Sequence, residues 1–557
     1  MNLVHFVRVV RWLGWVAAAA SVGIVLVALV YESIGGPHAV QDWWPAARIW
    51  RQLQTTVWMA GASTLLAFLL ALPAVLALTQ TAPGWPRRLL SSMIVVPLVT
   101  MPGVFAYAWM LLSTKRQGII AKLLGIVGWN TPGLEALQSA WVMATWLWPI
   151  PALVMAASFE HGGRVGYQLA RLDASVTAAF LRGALPMMRA PILAALGITL
   201  ILSTTDSTVP PLMAASDVWA VEMMAQASTS ARFDRPVGYL FWQAWPMLAL
   251  IALVVLATLP GLRAMAQWGE SHDLSDLDGA TTAPGGNVDR SKACRPGITW
   301  VVSFLLAAGI TIFPIVVFAI ELGSGRSSLT DTLSTAARTI RNDGLATLIV
   351  GFLTGLFACC ISTAAIIDPD DGWAARLAAR VLTAGAIVTA VLPPELTGTA
   401  LATFYSRISD PLSRWSVYDC TPWPWTAAML ARYAFLPVCV ANLLNRRIPE
   451  GLLGQARMDG TTGLGRIAHV RLPLLALPLV AAAMLSGCMA ISEVASSVLV
   501  QPPRFFGGSL AVKVDMQMHY GRQDETIAMS MMLIVPAMLS ASAVLMLLRG
   551  RSRLMGR

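Results

Sequence analysis

The residues able to do chemistry in this chain are few, and the most telling of them sit in apolar surroundings. Asp206 and Glu493 each fall in a long apolar run, at the same distance past a Leu-Pro pair, Leu185-Pro186 and Leu472-Pro473. A carboxylate inside a bilayer is costly, so each is a functional candidate by default. Acids along a permeation path lower the barrier for cations. Arg432 lies in the apolar run before Glu493, so an Arg432–Glu493 ion pair and direct solute contact are both open readings. The matching position in the first half of the chain is Trp146, which leaves Asp206 the alternative of hydrogen bonds to Ser203, Thr204 or Thr205. The 6 histidines, His5, His38, His161, His272, His469 and His519, are scattered over loops and helix ends without an H-E-x-x-H spacing. His272, Asp273, Asp276 and Asp278 stand together only in a stretch that no element fixes in space. The 6 cysteines follow no disulfide or zinc pattern. No catalytic residue and no metal site is expected, and a polytopic membrane enzyme lacks the clustered nucleophiles or ligands it would need.

The elements that must position these residues are membrane helices. The chain is 56% hydrophobic and 12% charged, with mean hydropathy +0.66, which places it with polytopic membrane proteins. Apolar runs of the length that crosses a hydrocarbon core number about twelve. They are 12–31, 55–79, 89–113, 139–158, 190–213, 237–262, 298–320, 345–367, 378–404, 424–446, 474–500 and 527–548. The expected fold is an all-α polytopic membrane protein, with Asp206 and Glu493 in the outer half of their helices at 1.5 Å of rise per residue. With the N-terminus inside, the cytoplasmic loops hold most of the 39 Lys and Arg, among them Arg87, Arg88, Arg446 and Arg447, as the positive-inside rule requires. The net charge of +10 is spread over short loops, and not gathered with aromatics into a nucleic-acid stripe.

The chain divides into residues 1–263, a polar linker 264–297 rich in Asp, Ser, Gly and Pro, and residues 298–557. A loop pattern recurs in both large pieces, separated by about half the chain. In the second, Ile448-Pro449 leads through Ala456-Arg457-Met458-Asp459-Gly460 to Leu472-Pro473. Proline start, glycine turn and proline re-entry predict a short helix, a bend and a second short helix. In the first, Gln168-Leu169-Ala170-Arg171-Leu172-Asp173-Ala174 precedes Leu185-Pro186. Pro151 and Pro437 also correspond.

These loops resemble the cytoplasmic EAA loop of ABC-importer permeases. Ala456, Asp459, Gly460, Leu472 and Pro473 match its spacing, and the first copy, with Ala170 and Asp173 ahead of Leu185 and Pro186, follows it more loosely. Gly454 and Gln455 stand where that family has its glutamate and first alanine, and Gln168 and Ala174 replace the glutamate and glycine in the first copy, which is one residue shorter. The tail, with Glu493, Pro502-Pro503, Leu510-Ala511-Val512 and His519-Tyr520-Gly521, is similar to fused permeases of the iron(III) and thiamine type.

The resemblance implies two parallel six-helix repeats of the type I importer kind, in a bacterial cytoplasmic (inner) membrane with both termini cytoplasmic. It implies a cytoplasmic ABC ATPase dimer seated on the two loops, an external or periplasmic solute-binding protein, and ATP used by the partner subunit, with no cofactor on this chain. Ala456, Asp459 and Gly460, and Ala170, Asp173 and Ala174, would shape the docking helices; Asp459 as a mere cap is the alternative. His519 and Tyr520 would face the binding protein or anchor the helix at the headgroups. Asp206, Glu493 and Arg432 are the solute-pathway candidates, and the tail favours ferric iron, with thiamine or another small solute as alternative. A secondary transporter of two six-helix halves is the rival class, but its signature belongs after the second helix, where Ala82-Pro83-Gly84-Trp85-Pro86-Arg87-Arg88 is a poor match.

Overall fold

The computed structural model describes all residues except 1–2, 35–45, 81–84, 115–134, 160–162, 216, 230–235, 268–297, 325–328, 369, 409–415, 447, 503–504, 506, 521–522, 535–538, 540–541 and 544–557. Described residues form helices and turns, without strands. Among the described residues, seven helices are long and apolar enough to cross a membrane, and four bent pairs bring the spans to as many as 11. Each of the first eleven apolar runs has its counterpart among these. The twelfth, 527–548, is helical over 523–534 and then passes outside the described residues, as do most of the linker and the tail arginines.

In chain order the helices are α1 (Leu3–Ile34), α2 (Ala46–Gln80), α3 (Trp85–Val99), α4 (Pro102–Thr114), α5 (Glu135–Leu147), α6 (Pro149–Ser158), α7 (Arg164–Ala170), α8 (Thr177–Met187), α9 (Arg189–Thr204), α10 (Val209–Leu212), α11 (Trp219–Thr229) and α12 (Pro236–Gln267). Then follow α13 (Ile298–Ser324), α14 (Thr332–Ala365), α15 (Trp373–Val391), α16 (Pro394–Ile408), α17 (Trp423–Tyr433), α18 (Phe435–Asn445), α19 (Glu450–Met458), α20 (Gly463–Ile491), α21 (Ala495–Val500) and α22 (Leu510–Tyr520). The order of helices from α1 to α12 resembles that from α13 onward, except that the bent pair α8 and α9 stands against the single helix α20. The first helix of each series packs on the other: α1 lies along α14, and α13 along α2.

Several runs that read as single helices are broken, and proline is the reason. Run 89–113 bends by 91° between α3 and α4, run 139–158 by 43° at Pro149, and run 424–446 by 44° before Pro437. Run 378–404 is two helices parted at Leu392-Pro393. A proline has no N–H for the carbonyl four residues back, and in lipid that carbonyl needs another donor. Thr311 Oγ1 supplies one to Met93 O at 2.9 Å, opposite Pro97, and Ser486 Oγ supplies one to Tyr433 O at 2.9 Å, opposite Pro437. Helices α14 and α20 cross at Gly351, Gly355 and Gly487, where a Cβ on Gly487 would stand 2.6 Å from the Gly351 carbonyl. Such small-residue seams let backbones touch without a hydrophobic driving force.

Candidate functional site

Both docking-loop patterns fold as helix, turn and helix. In the second, α19 ends at Asp459, Gly460 turns with φ +74°, and α20 begins after Thr462. The caps are threonines: Thr461 binds Ala456 O and Thr462 Oγ1 accepts from Gly465 N at 3.2 Å, while the Asp459 side chain is exposed. Asp459 is the C-cap residue of α19, its backbone N–H donating to Gln455 O at 3.0 Å. Ala456 is buried within α19, as is Leu453. The first loop closes more tightly: α7 and α8 cross at Gly166, Gly183 and Ala170, and a Cβ on Gly183 would lie 2.4 Å from Gly166 O. Asp173 is exposed and Ala174 half-buried.

The Leu-Pro pairs have the same local structure in both loops. Each follows a π turn, Phe180–Ala184 or Ile467–Arg471, with Leu185 N–H donating to Phe180 O and Leu472 N–H to Ile467 O. The wider turn accommodates the prolines that come next, Pro186 and Pro473. Apolar side chains project from both loops: Leu169, Leu172 (80% exposed) and Val165 from the first, Leu452 and Met458 (82% exposed) from the second.

An ionic knot beneath the second loop has no signal in the sequence. The Arg466 guanidinium forks onto Asp368, Nη2–Oδ1 2.6 Å and Nε–Oδ2 3.1 Å, and also meets Asp370 and the Thr461 carbonyl. Arg471 adds Asp368 at 3.3 Å, Ile367 O at 2.8 Å and Asn445. Arg457 reaches Asp370 at 3.3 Å. Burial alone would raise the Asp368 carboxyl, but hydrogen bonds from Arg466 and Asp370 N, with the charges of Arg471 and Arg466, hold it below its ordinary value. In the first loop, Ala179 and Ala184 stand where Arg466 and Arg471 would be, and the Phe159 ring packs against Tyr167 and Phe180.

The structure brings the three pathway candidates together. Arg432 Nε lies 3.2 Å from Glu493 Oε2, which also accepts from Tyr433 Oη. Asp206 is within electrostatic reach of both Glu493 and Arg432. Neither acid is inside a helix, contrary to the sequence expectation. Asp206 lies between α9 and α10, its oxygens accepting from Thr208 Oγ1 at 2.8 Å and Val209 N at 2.9 Å. Glu493 lies between α20 and α21 and accepts from Ser496 N at 3.3 Å. Short polar acceptors end one helix by starting the next. Ser203, Thr204 and Thr205 are not the partners of Asp206; Ser203 pairs with Ser63 at 2.8 Å, and the two threonines bond Ile201 O. Trp146, at the position matching Arg432, donates to Thr100 O at 3.2 Å.

Glu395, at the start of α16, completes this group. It is wholly buried beside Ser207, Arg432 and Glu493. The sequence hides it inside an apolar run, where the preceding Pro393-Pro394 was the one available sign of a break. His519 is half-exposed and Tyr520 79% exposed on α22. His272, Asp273, Asp276 and Asp278 lie outside the described residues; among those described, no three His, Cys, Asp or Glu side chains are grouped to hold a metal ion.

The chain is similar to the thiamine transport system permease protein ThiP of Brucella abortus, strain 2308 and biovar 1 strain 9-941, each 25% identical over 402 residues, 71% of this chain and 69% of the relative. It is a homologue of a transport permease. The resemblance to fused permeases of ABC importers of the iron(III) and thiamine type is thereby shown, and the chain is a multi-pass membrane protein. No protein-family model and no solved structure matches it.

Proposed function

We propose that the chain is the membrane-spanning permease subunit of a binding-protein-dependent ABC importer in a bacterial inner membrane. Residues 1–263 and 298–557 would be its two halves, both termini cytoplasmic, and the loops around Ala170-Asp173 and Ala456-Gly460 would seat two ATPase subunits that use the ATP. The observation that carries this reading is the exposure of Leu172 and Met458, beside exposed Asp173 and Asp459, at the tips of two loops of the same design. Apolar side chains grouped on a loop and rimmed by polar residues mark a surface for a partner, and Val165, Leu169 and Leu172 form such a group on the first loop, Leu452 and Met458 on the second. The second loop runs straight into α20, which ends just before Glu493, and the first reaches Asp206 through α8 and α9, which meet at 81°. Coupling of the loops to the acids needs an element with two positions, each favoured by a different ligand state.

The solute we assign is thiamine or a similar organic cation. The relative's name and the acids around Arg432 favour it over ferric iron, which rested on the tail motif alone. The test is uptake of labelled thiamine into cells without their own importer, supplied with this chain, its ATPase and its binding protein. ATP-dependent uptake is expected. Accumulation of ferric iron in place of thiamine would restore the iron reading, and uptake driven by an ion gradient with no ATPase attached would overturn the importer class.

A further inference from the structure

Carboxyl groups from two interhelical turns and two helices approach one another around Arg432. Asp515 on α22, 20% exposed and 4.0 Å from His519, is within electrostatic reach of Asp206. Asp206 is in reach of Glu493, and Ser496 Oγ donates to Pro394 O at 3.3 Å, which sets Glu395 at the start of α16 against the turn that carries Glu493. Two of these carboxyls are incomplete. Neither Glu395 oxygen, and not the buried Oδ1 of Asp515, meets a hydrogen-bond donor in good geometry. A buried acid left in that state costs more than any neutral side chain of its size. Ser207 and Arg432 are its polar neighbours on the positive or donating side, and Arg432 is already engaged by Glu493.

The occupant at the centre indicates the ligand. Arg432 places a planar, delocalised and weakly hydrated cation against Glu493, 5.9 Å from the centre of the Tyr433 ring. A small hard cation would require a closed shell of oxygens, whereas these carboxyls are strung out between helices. We propose that Asp515, Asp206, Glu493 and Glu395 are successive stations for a planar organic cation, and that the Arg432 guanidinium is a tethered occupant which the entering solute displaces toward Glu395. Glu395 is then incomplete because its partner arrives only when Arg432 moves. The proposal rests on the permease reading and adds the stations and the exchange.

The test uses the purified chain in lipid nanodiscs, with guanidinium ion and thiamine as probes and equilibrium binding and thermal shift as readouts. Arg432→Ala, which empties the central station, is expected to bind both cations about tenfold more tightly than wild type or more. Adding Glu395→Gln should remove most of that gain, and Arg432→Lys should stay near wild type. A folded Arg432→Ala protein that binds neither cation overturns the proposal. Should Arg432→Ala fail to fold, Glu395→Gln alone decides: it should slow uptake with assembly intact, and unchanged uptake overturns the stations. Binding of guanidinium without thiamine leaves the stations standing and sinks the thiamine assignment instead.

Discussion

Arg466 grips Asp368 with two nitrogens, at 2.6 and 3.1 Å, across 98 residues of sequence, and both side chains are buried. The pair ties the start of α20 to the turn that follows α14, and Arg471 and Asn445 extend the tie to the end of α18. The second loop is thus fixed by charge. The first is held by Phe159, Phe180 and Tyr167.

Breaking the tie from one side leaves a buried charge alone. Arg466→Met should cost about 3 kcal/mol, seen as a lower melting temperature of the purified chain. Removing both charges with Asp368→Asn and Arg466→Met should recover much of the loss. A double variant no better than the single one would show that the pair contributes little.

The same pair carries a pH dependence. Asp368 is held below its ordinary value, so its contribution is complete above the unfolded carboxylate value, about 3.9, and fades as pH falls through the lower folded value. Stability at neutral pH and at pH 5 should differ little through this group. A large loss between pH 7 and pH 5 that disappears in Asp368→Asn would contradict the assigned direction.

Charge placed on the exposed apolar tips should act on the partner and not on the fold. Leu172→Glu or Met458→Glu is expected to release the co-purifying ATPase, while melting temperature changes by less than about 0.5 kcal/mol worth of stability, as for surface substitutions generally. ATPase retained in full by the double variant would remove these tips from the docking surface.

What the sequence made legible was whatever repeats or runs long. Apolar stretches announced the spans because lipid demands length, and Asp206 and Glu493 announced each other by equal spacing from their Leu-Pro pairs. Helix breaks were hidden, since Asp206 and Glu493 end a helix through side-chain bonds to Val209 N and Ser496 N that apolar neighbours do not betray. Glu395 was lost inside a run whose average stayed apolar. Asp368 and Arg466 were lost because contact across 98 residues leaves no local trace. Glu32, buried in α1 and 2.8 Å from Arg407, went unseen for the same reason.

The glycine seam between α14 and α20 gives a steric prediction. A side chain on Gly487 meets the Gly351 carbonyl at once, and Gly351 is backbone that cannot step aside. Gly487→Leu should part the helices and lower the yield of folded protein. Gly454→Leu is the control, since a Cβ there has open space, and should be neutral. Equal yields for the two would refute the seam.

The donors opposite the prolines complete the set. Ser486 and Thr311 each give a hydroxyl to a carbonyl that Pro437 or Pro97 has freed, and each does so from a different helix, so the bond stabilises both the bend and the contact. Polar bonds between membrane helices contribute about 0.6 kcal/mol on average and up to about 1.7. Ser486→Ala should lie toward the upper end, because Tyr433 sits beside Glu493 and a shift of its backbone disturbs the ion pair with Arg432. Thr311→Val, remote from the acids, should lower melting temperature alone. The decisive comparison is solute uptake at a temperature where both variants are folded: a loss with Ser486→Ala and none with Thr311→Val is expected, and equal uptake would mean that the bend at Tyr433 does not position the charged group.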